Sequence, residues 1–128
     1  MLYEIVSRRT PQQAGQALEA AAQKHQFGVL AIHNLKETMA KKGVEFAKEC
    51  LIYEVCNPHQ AKKVLEANPS ISTALPCRIA IFEEGGHSKL STIKPTAMLA
   101  LYGNPELAPV AQEVEQVILA MMQEAAGE

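Results

Sequence analysis

The chain contains no aspartate: all fourteen of its acidic residues are glutamate. Calcium loops of the EF-hand kind, aspartyl-phosphate chemistry and a Walker-type Asp for magnesium are therefore excluded. Tryptophan is also absent and aromatic residues make up only 5% of the chain, too few for a base-stacking platform. The seven glycines never fall into a GxGxxG or P-loop spacing, so no glycine-built phosphate cradle is encoded. Cations are not in excess. A formal net charge of -2 offers no basic face for nucleic acid or an anionic membrane, and neither is expected as a partner. No apolar run approaches the ~20 residues that span a bilayer. The opening Met1-Leu2-Tyr3-Glu4-Ile5-Val6 has no basic region leading into an apolar one, so no secretion signal is expected. The expected compartment is the cytoplasm, where the three cysteines stay reduced.

What is present is ordinary globular material. A hydrophobic fraction of 48% with 20% charged residues, over 128 residues, predicts a single domain (residues 1–128) with a substantial core. Leu2 to Ser7 reads as a strand. Thr10-Pro11-Gln12-Gln13 then combines an N-cap threonine, a proline at the first helical position and a glutamine at the third, and the helix should end before Gly28. Gly28 to His33 reads as a second strand, followed by a short basic helix from Leu35 to Lys42 that Gly43 terminates. Glu49 to Cys56 is the clearest strand, with Leu51, Tyr53 and Val55 on one face and Cys50, Ile52, Glu54 and Cys56 on the other.

Asn57-Pro58 repeats the cap-plus-proline start, with Gln60 at the third position, and opens a helix to about Ala67 that Asn68-Pro69 ends. Cys77 to Phe82 and Ser88 to Ile93 form a hairpin about Glu84-Gly85-Gly86. Thr96 to Tyr102 is helical, and Asn104-Pro105 should start the longest helix, Pro105 to Gln123. There Leu107, Val110, Val114, Val117 and Met121 form a stripe that Ile118, Leu119 and Met122 widen. The order β-α-β-β-α-β-β-α predicts an α+β fold: a largely antiparallel sheet with helices packed on one face. A homodimer is expected, because Leu119 and Met122 lie beyond the stripe that one core buries.

The chemistry-bearing residues gather around the helix that Pro58 opens. Cys56 ends a strand just before the helix N-terminus, where free N–H groups and the helix dipole lower a thiol pKa and favour a nucleophile or metal ligand. Cys77 begins the next strand beside Arg78. Glu54 shares the face of Cys56 and, if buried, needs Arg78 or a ligand as partner. Asn57 reads first as a helix cap and second as a ligand contact. The alternative for Cys56 and Cys77 is that both are small hydrophobes packed in the sheet, and Cys50 reads as core. The four histidines have no HxxxH or HxH spacing and the cysteines no CxxC, so Cys56 with His59 is the one local pair with metal-ligand spacing.

The run YEVCNPHQAKKVLEANPSISTALPCRIAIFEEGGHSKLSTIKPTAML resembles the domain of unknown function 302 family, on a strand ending in Cys-Asn-Pro, a helix, then Leu-Pro, a hydrophobic strand and a Gly hairpin. Glu54, Cys56, Asn57, Pro58, Pro76 and Lys94-Pro95 match that pattern. The resemblance covers most of the chain and implies a small α+β domain with a TBP-like arrangement, often homodimeric. It implies no reaction, substrate or cofactor.

Three readings follow. The first is a cytoplasmic homodimer binding a small ligand, sulfur-containing or a metal, near Cys56, with Glu54, Asn57, Cys77 and Arg78 around it. The second is a thiol redox or sulfur-handling enzyme using Cys56 as nucleophile and Cys77 as resolving thiol, which lacks an evident base. The third is a structural or interaction module with packed cysteines.

Overall fold

Helix starts in this protein are set by side chains that replace missing backbone partners. The Thr10 hydroxyl accepts from the Gln13 N–H at 3.1 Å, and Gln13 Oε1 accepts from the Thr10 N–H at 3.0 Å. This reciprocal cap, with Pro11 in the first turn, opens α1 (Pro11–Lys24) directly after strand β1 (Leu2–Ser7). Asn34 caps α2 (Leu35–Lys41) with its side-chain oxygen at the end of β2 (Gly28–Asn34). Asn57 does the same for α3 (Pro58–Ala67) at the end of β3 (Cys50–Cys56). Asn68 caps a 3₁₀ turn, Pro69–Ala74, that leads to β4 (Cys77–Glu84). Gly85 and Gly86, at φ 60° and 82°, make the tight turn into β5 (His87–Ile93); two consecutive positive-φ residues suit a hairpin turn that only glycine enters freely. Helices α4 (Pro95–Leu99) and α5 (Ala108–Ala126) complete the chain. The computed structural model describes residues 1–127.

The five strands form one sheet in the order β1-β5-β4-β3-β2, antiparallel throughout, which is the α+β architecture expected. Along β3 the alternation is as expected: Leu51, Tyr53 and Val55 are buried, and the residues between them are not. Ile79 and Ile81 of β4 and Leu90 of β5 share that buried face, and α1 and α5 pack upon it. The opposite face is partly open to solvent. Leu2, Val6 and Ile93 are exposed there and Ile52, Ala80 and Phe82 half-buried. A smaller cluster, Val64, Ile71 and Leu107 with Leu75 and Leu99, joins α3, the Pro69–Ala74 turn, α4 and α5 beyond the end of the sheet.

Three expectations need correction. The longest helix does not start at Pro105: Pro105–Leu107 is a 3₁₀ turn, and α5 begins at Ala108. Pro109 has no N–H to give to the Pro105 carbonyl, so an α-helix cannot run through it and starts afresh with Pro109 in its first turn. The helix expected over Thr96 to Tyr102 is split, with α4 ending at Leu99 and a 3₁₀ turn over Ala100–Tyr102. Finally, Met122 is fully buried and so is not left over for a partner, while Leu119 is partly buried against the main core. The alanine face of α1, Ala14, Ala21 and Ala22 beside Leu18, lets α5 approach closely and takes up the width of its apolar surface.

Candidate functional site

At the end of β3 the chain turns from Cys56 into α3. Asn57 Oδ1 accepts from the N–H groups of His59 at 3.0 Å and Gln60 at 3.2 Å, using its side chain to satisfy the helix terminus. Across the ladder Val55 stands opposite Cys77, and Glu54 opposite Arg78. This short register divides the residues singled out from sequence into two groups.

Cys56, Asn57 and Cys77 line a cavity of about 50 Å³, partly open to solvent, with an almost wholly apolar wall. The strands give it Val55, Cys56 and Cys77, and α3 adds Gln60, Ala61 and Val64. Ile71 and Leu75 close it from the 3₁₀ turn, Met98 and Leu99 from α4, and Val110 and Val114 from α5. It lies at the seam between the two hydrophobic clusters: Val55, Cys77 and Val114 belong to the main core, Val64, Ile71 and Val110 to the satellite. Gln60 Oε1 is the one buried side-chain polar atom among the described residues that has no hydrogen-bond partner.

Glu54 and Arg78 lie outside this cavity wall, and they are partnered with each other. Glu54, with its side chain 16% exposed, meets Arg78 Nε at 3.3 Å and His33 Nε2 at 3.4 Å. The Arg78 side chain is 69% exposed, so this contact contributes little to stability. The carboxylate of Glu54 thus has the Arg78 partner expected for it, on the open face of the sheet.

All three thiols are free. Burial pushes Cys56 and Cys50 above the ordinary thiol value, which corrects the expectation of a lowered Cys56. The helix N–H groups that would have favoured its thiolate bond to Asn57 instead. Cys77 is pushed up to about 11, first by burial and then by its proximity to Cys56, whose negative charge opposes a second ionisation. The two sulfurs therefore sit in one neighbourhood, which the strand-helix-strand order alone left open. His59 is exposed. Among the described residues no three His, Cys or Glu side chains come together to hold a metal ion, so the Cys56–His59 pair has no third protein ligand.

Sequence reasoning passed over Gln60. It read as the third-position residue of a helix start, as Gln13 does in α1, and nothing in the sequence tells the two apart. The remaining wall residues carried only a core signal, since apolar periodicity does not distinguish a filled core from a cavity wall.

Among described residues no helix is long and apolar enough to cross a membrane. No curated protein matches the chain. A crystal structure of an uncharacterised conserved DUF302 protein from Bacillus stearothermophilus superposes with a TM-score of 0.91 at 28% sequence identity, covering 97% of each chain. Its likeness extends over both clusters and the sheet, so the framework that forms the cavity is shared. The family model for the domain of unknown function DUF302 matches residues 3–125, and the chain belongs to that family.

Proposed function

We propose that this chain is a cytoplasmic homodimeric binding domain that holds a small, largely apolar molecule in the cavity beside Cys56 and Cys77. The observation that carries this reading is the cavity itself. Interiors pack at near-crystalline density, yet here two clusters meet around a gap whose mouth reaches solvent. Its wall is apolar, and the two sulfurs in it are soft and polarisable, which suits an aliphatic, aromatic or sulfur-bearing ligand. Small-molecule sites are commonly of this kind, mostly hydrophobic with very few polar groups. A metal ion at Cys56 and His59 has less support, for want of a third donor. Thiol redox chemistry has less too: Val55 and not Cys56 faces Cys77 across the ladder, and the thiolate form of each cysteine is disfavoured.

Titration of the protein with thiophene, followed by amide NMR, tests the site. Shifts are expected at Val55, Cys56, Val64, Ile71, Cys77 and Val114. Ala61→Leu, which fills the cavity from α3, should abolish them while the protein stays folded. Shifts confined to other regions, or none up to millimolar probe, would reject the site.

For the dimer, the support comes from the open sheet face. Leu2, Val6 and Ile93 are exposed there beside half-buried Ile52, Ala80 and Phe82. Lys89, paired with Glu4 at 3.9 Å and Glu84 at 2.7 Å, places both signs of charge on the same surface. A two-fold interface requires such self-complementarity, because each patch meets its own copy. Light scattering at micromolar concentration should report a dimer, and Val6→Glu a monomer. A monomeric parent protein would end this part of the proposal.

A further inference from the structure

We propose that Cys56 and Cys77 form a site for a soft monovalent metal ion, Cu(I), held between their two sulfurs at the cavity. The site goes beyond the apolar-ligand reading and does not require it. Its basis is the register of the sheet. Val55 stands opposite Cys77 in the β3–β4 ladder, and Cys56 is the next residue along. Opposed Cα atoms lie about 4.5–5.5 Å apart and each strand residue advances ~3.3 Å, so the two cysteine Cα atoms are roughly 6 Å apart. Strand parity would turn Cys56 away from Cys77. But β3 ends at Cys56, and both residues line the same cavity. The repulsion that each thiolate exerts on the other agrees with this closeness. Neither cysteine is sealed off: Cys56 is half-buried and Cys77 is 7% exposed, beside a cavity whose mouth reaches solvent.

The donor set selects the ion. The wall holds two thiols and the Met98 thioether, and neither a carboxylate nor an imidazole. Asn57 Oδ1 is committed to the α3 N–H groups, and Gln60 Oε1 is buried. Calcium and magnesium need oxygen ligands and structural zinc takes four donors, so this wall serves none of them. Thiolate and thioether sulfurs favour Cu(I), for which two ligands in a line suffice. Such an ion has no need of the third His, Cys or Glu that is missing among the described residues. Binding forms two Cu–S bonds and releases the two thiol protons to solvent, with no change of oxidation state. The metal displaces the protons, so neither thiol has to ionise beforehand. The complex carries one net negative charge, and α3 starts its positive end at the Asn57 cap, next to Cys56.

The test titrates the full chain, without oxygen, with the Cu(I) bicinchoninate complex, whose purple colour is lost as copper passes to the protein. The parent and Cys50→Ser should each take up one equivalent. Cys56→Ser and Cys77→Ser, with amide spectra showing the fold retained, should leave the colour unchanged. X-ray absorption at the copper edge of the parent complex should show sulfur ligands alone, and it decides the matter where a variant does not fold. Four results would overturn the site: no transfer to the parent, transfer that survives in either the Cys56 or the Cys77 variant, loss of transfer in Cys50→Ser, or nitrogen or oxygen ligands at the copper. Thiophene binding to the cavity stands or falls separately, through Ala61→Leu.

Discussion

Replacing Gly15 with alanine should lower the unfolding free energy by about 1–3 kcal/mol, the usual cost of forcing atoms into a filled core. The sign is the informative part. Alanine inside a helix is normally better than glycine by roughly 1 kcal/mol, so a surface helix would gain from this change. Gly15 is buried in the middle of α1, and a Cβ there would collide with Tyr53 Oη and lie 2.8 Å from Tyr53 Cζ and 3.1 Å from Cε1. Tyr53 is only 4% exposed on β3, which is flanked by strands on both sides, so its ring is closely surrounded. Relief must come from moving α1 away from the sheet. Urea unfolding of Gly15→Ala, Tyr53→Phe and the double variant would measure the effect. Tyr53→Phe removes the worst contact, so the alanine should cost less in that background. A Gly15→Ala protein as stable as the parent would mean that the ring shifts freely and the helix–sheet contact is loose.

The second large effect is expected at alkaline pH. Cys77 is 7% exposed, and its pKa rises from 9.0 to about 11 on folding. Below pH 9 folded and unfolded chains both hold the proton, and the thiol contributes no pH dependence. Between 9 and 11 the unfolded chain releases it while the folded chain keeps it, so stability falls as pH rises. At 1.36 kcal/mol per pKa unit the loss reaches about 2 kcal/mol by pH 11. Burial raises Cys50, Cys56 and Tyr53 as well, and these push in the same direction. The contribution of Cys77 is therefore the difference between parent and Cys77→Ala across the pH series. That difference should narrow steadily from pH 9 to 11, and a constant difference would show that the thiol reaches solvent easily.

Most elements could be read from punctuation. Thr10, Asn34, Asn57 and Asn68 each cap the segment that follows. The alternation of β3 gave its buried face directly. The start of α5 was misread because two prolines compete there, and only Pro109 is compatible with the first turn of the helix that continues. Met122 looked surplus because the extent of one core depends on how near α1 comes to α5, which alanine content permits but does not declare. At the site, the closeness of Cys56 and Cys77 was not legible, since it depends on β3 and β4 being neighbours in the sheet. A strand period of two turns Val55 and Cys77 inward and Glu54 and Arg78 outward, whereas Cys56, of the same parity as Glu54, lines the cavity at the end of β3. Gln60 was not legible, because whether a glutamine closes its cap or leaves it open is decided by packing around its amide.

The strand order also sets a timetable for synthesis. Strands β2 to β5 pair each with the next, so that part of the sheet can zip up in the order in which it leaves the ribosome. Strand β1 cannot join in this way. Its strand partner is β5, with Ser7 opposite Ser88 and Leu2 opposite Ile93. At ~5–20 residues per second, β1 waits roughly 4–20 s before its partner exists. The first strand made is the last that can be placed, and until then Tyr3 and Ile5, later packed against the core, are accessible to any chaperone that meets the nascent chain.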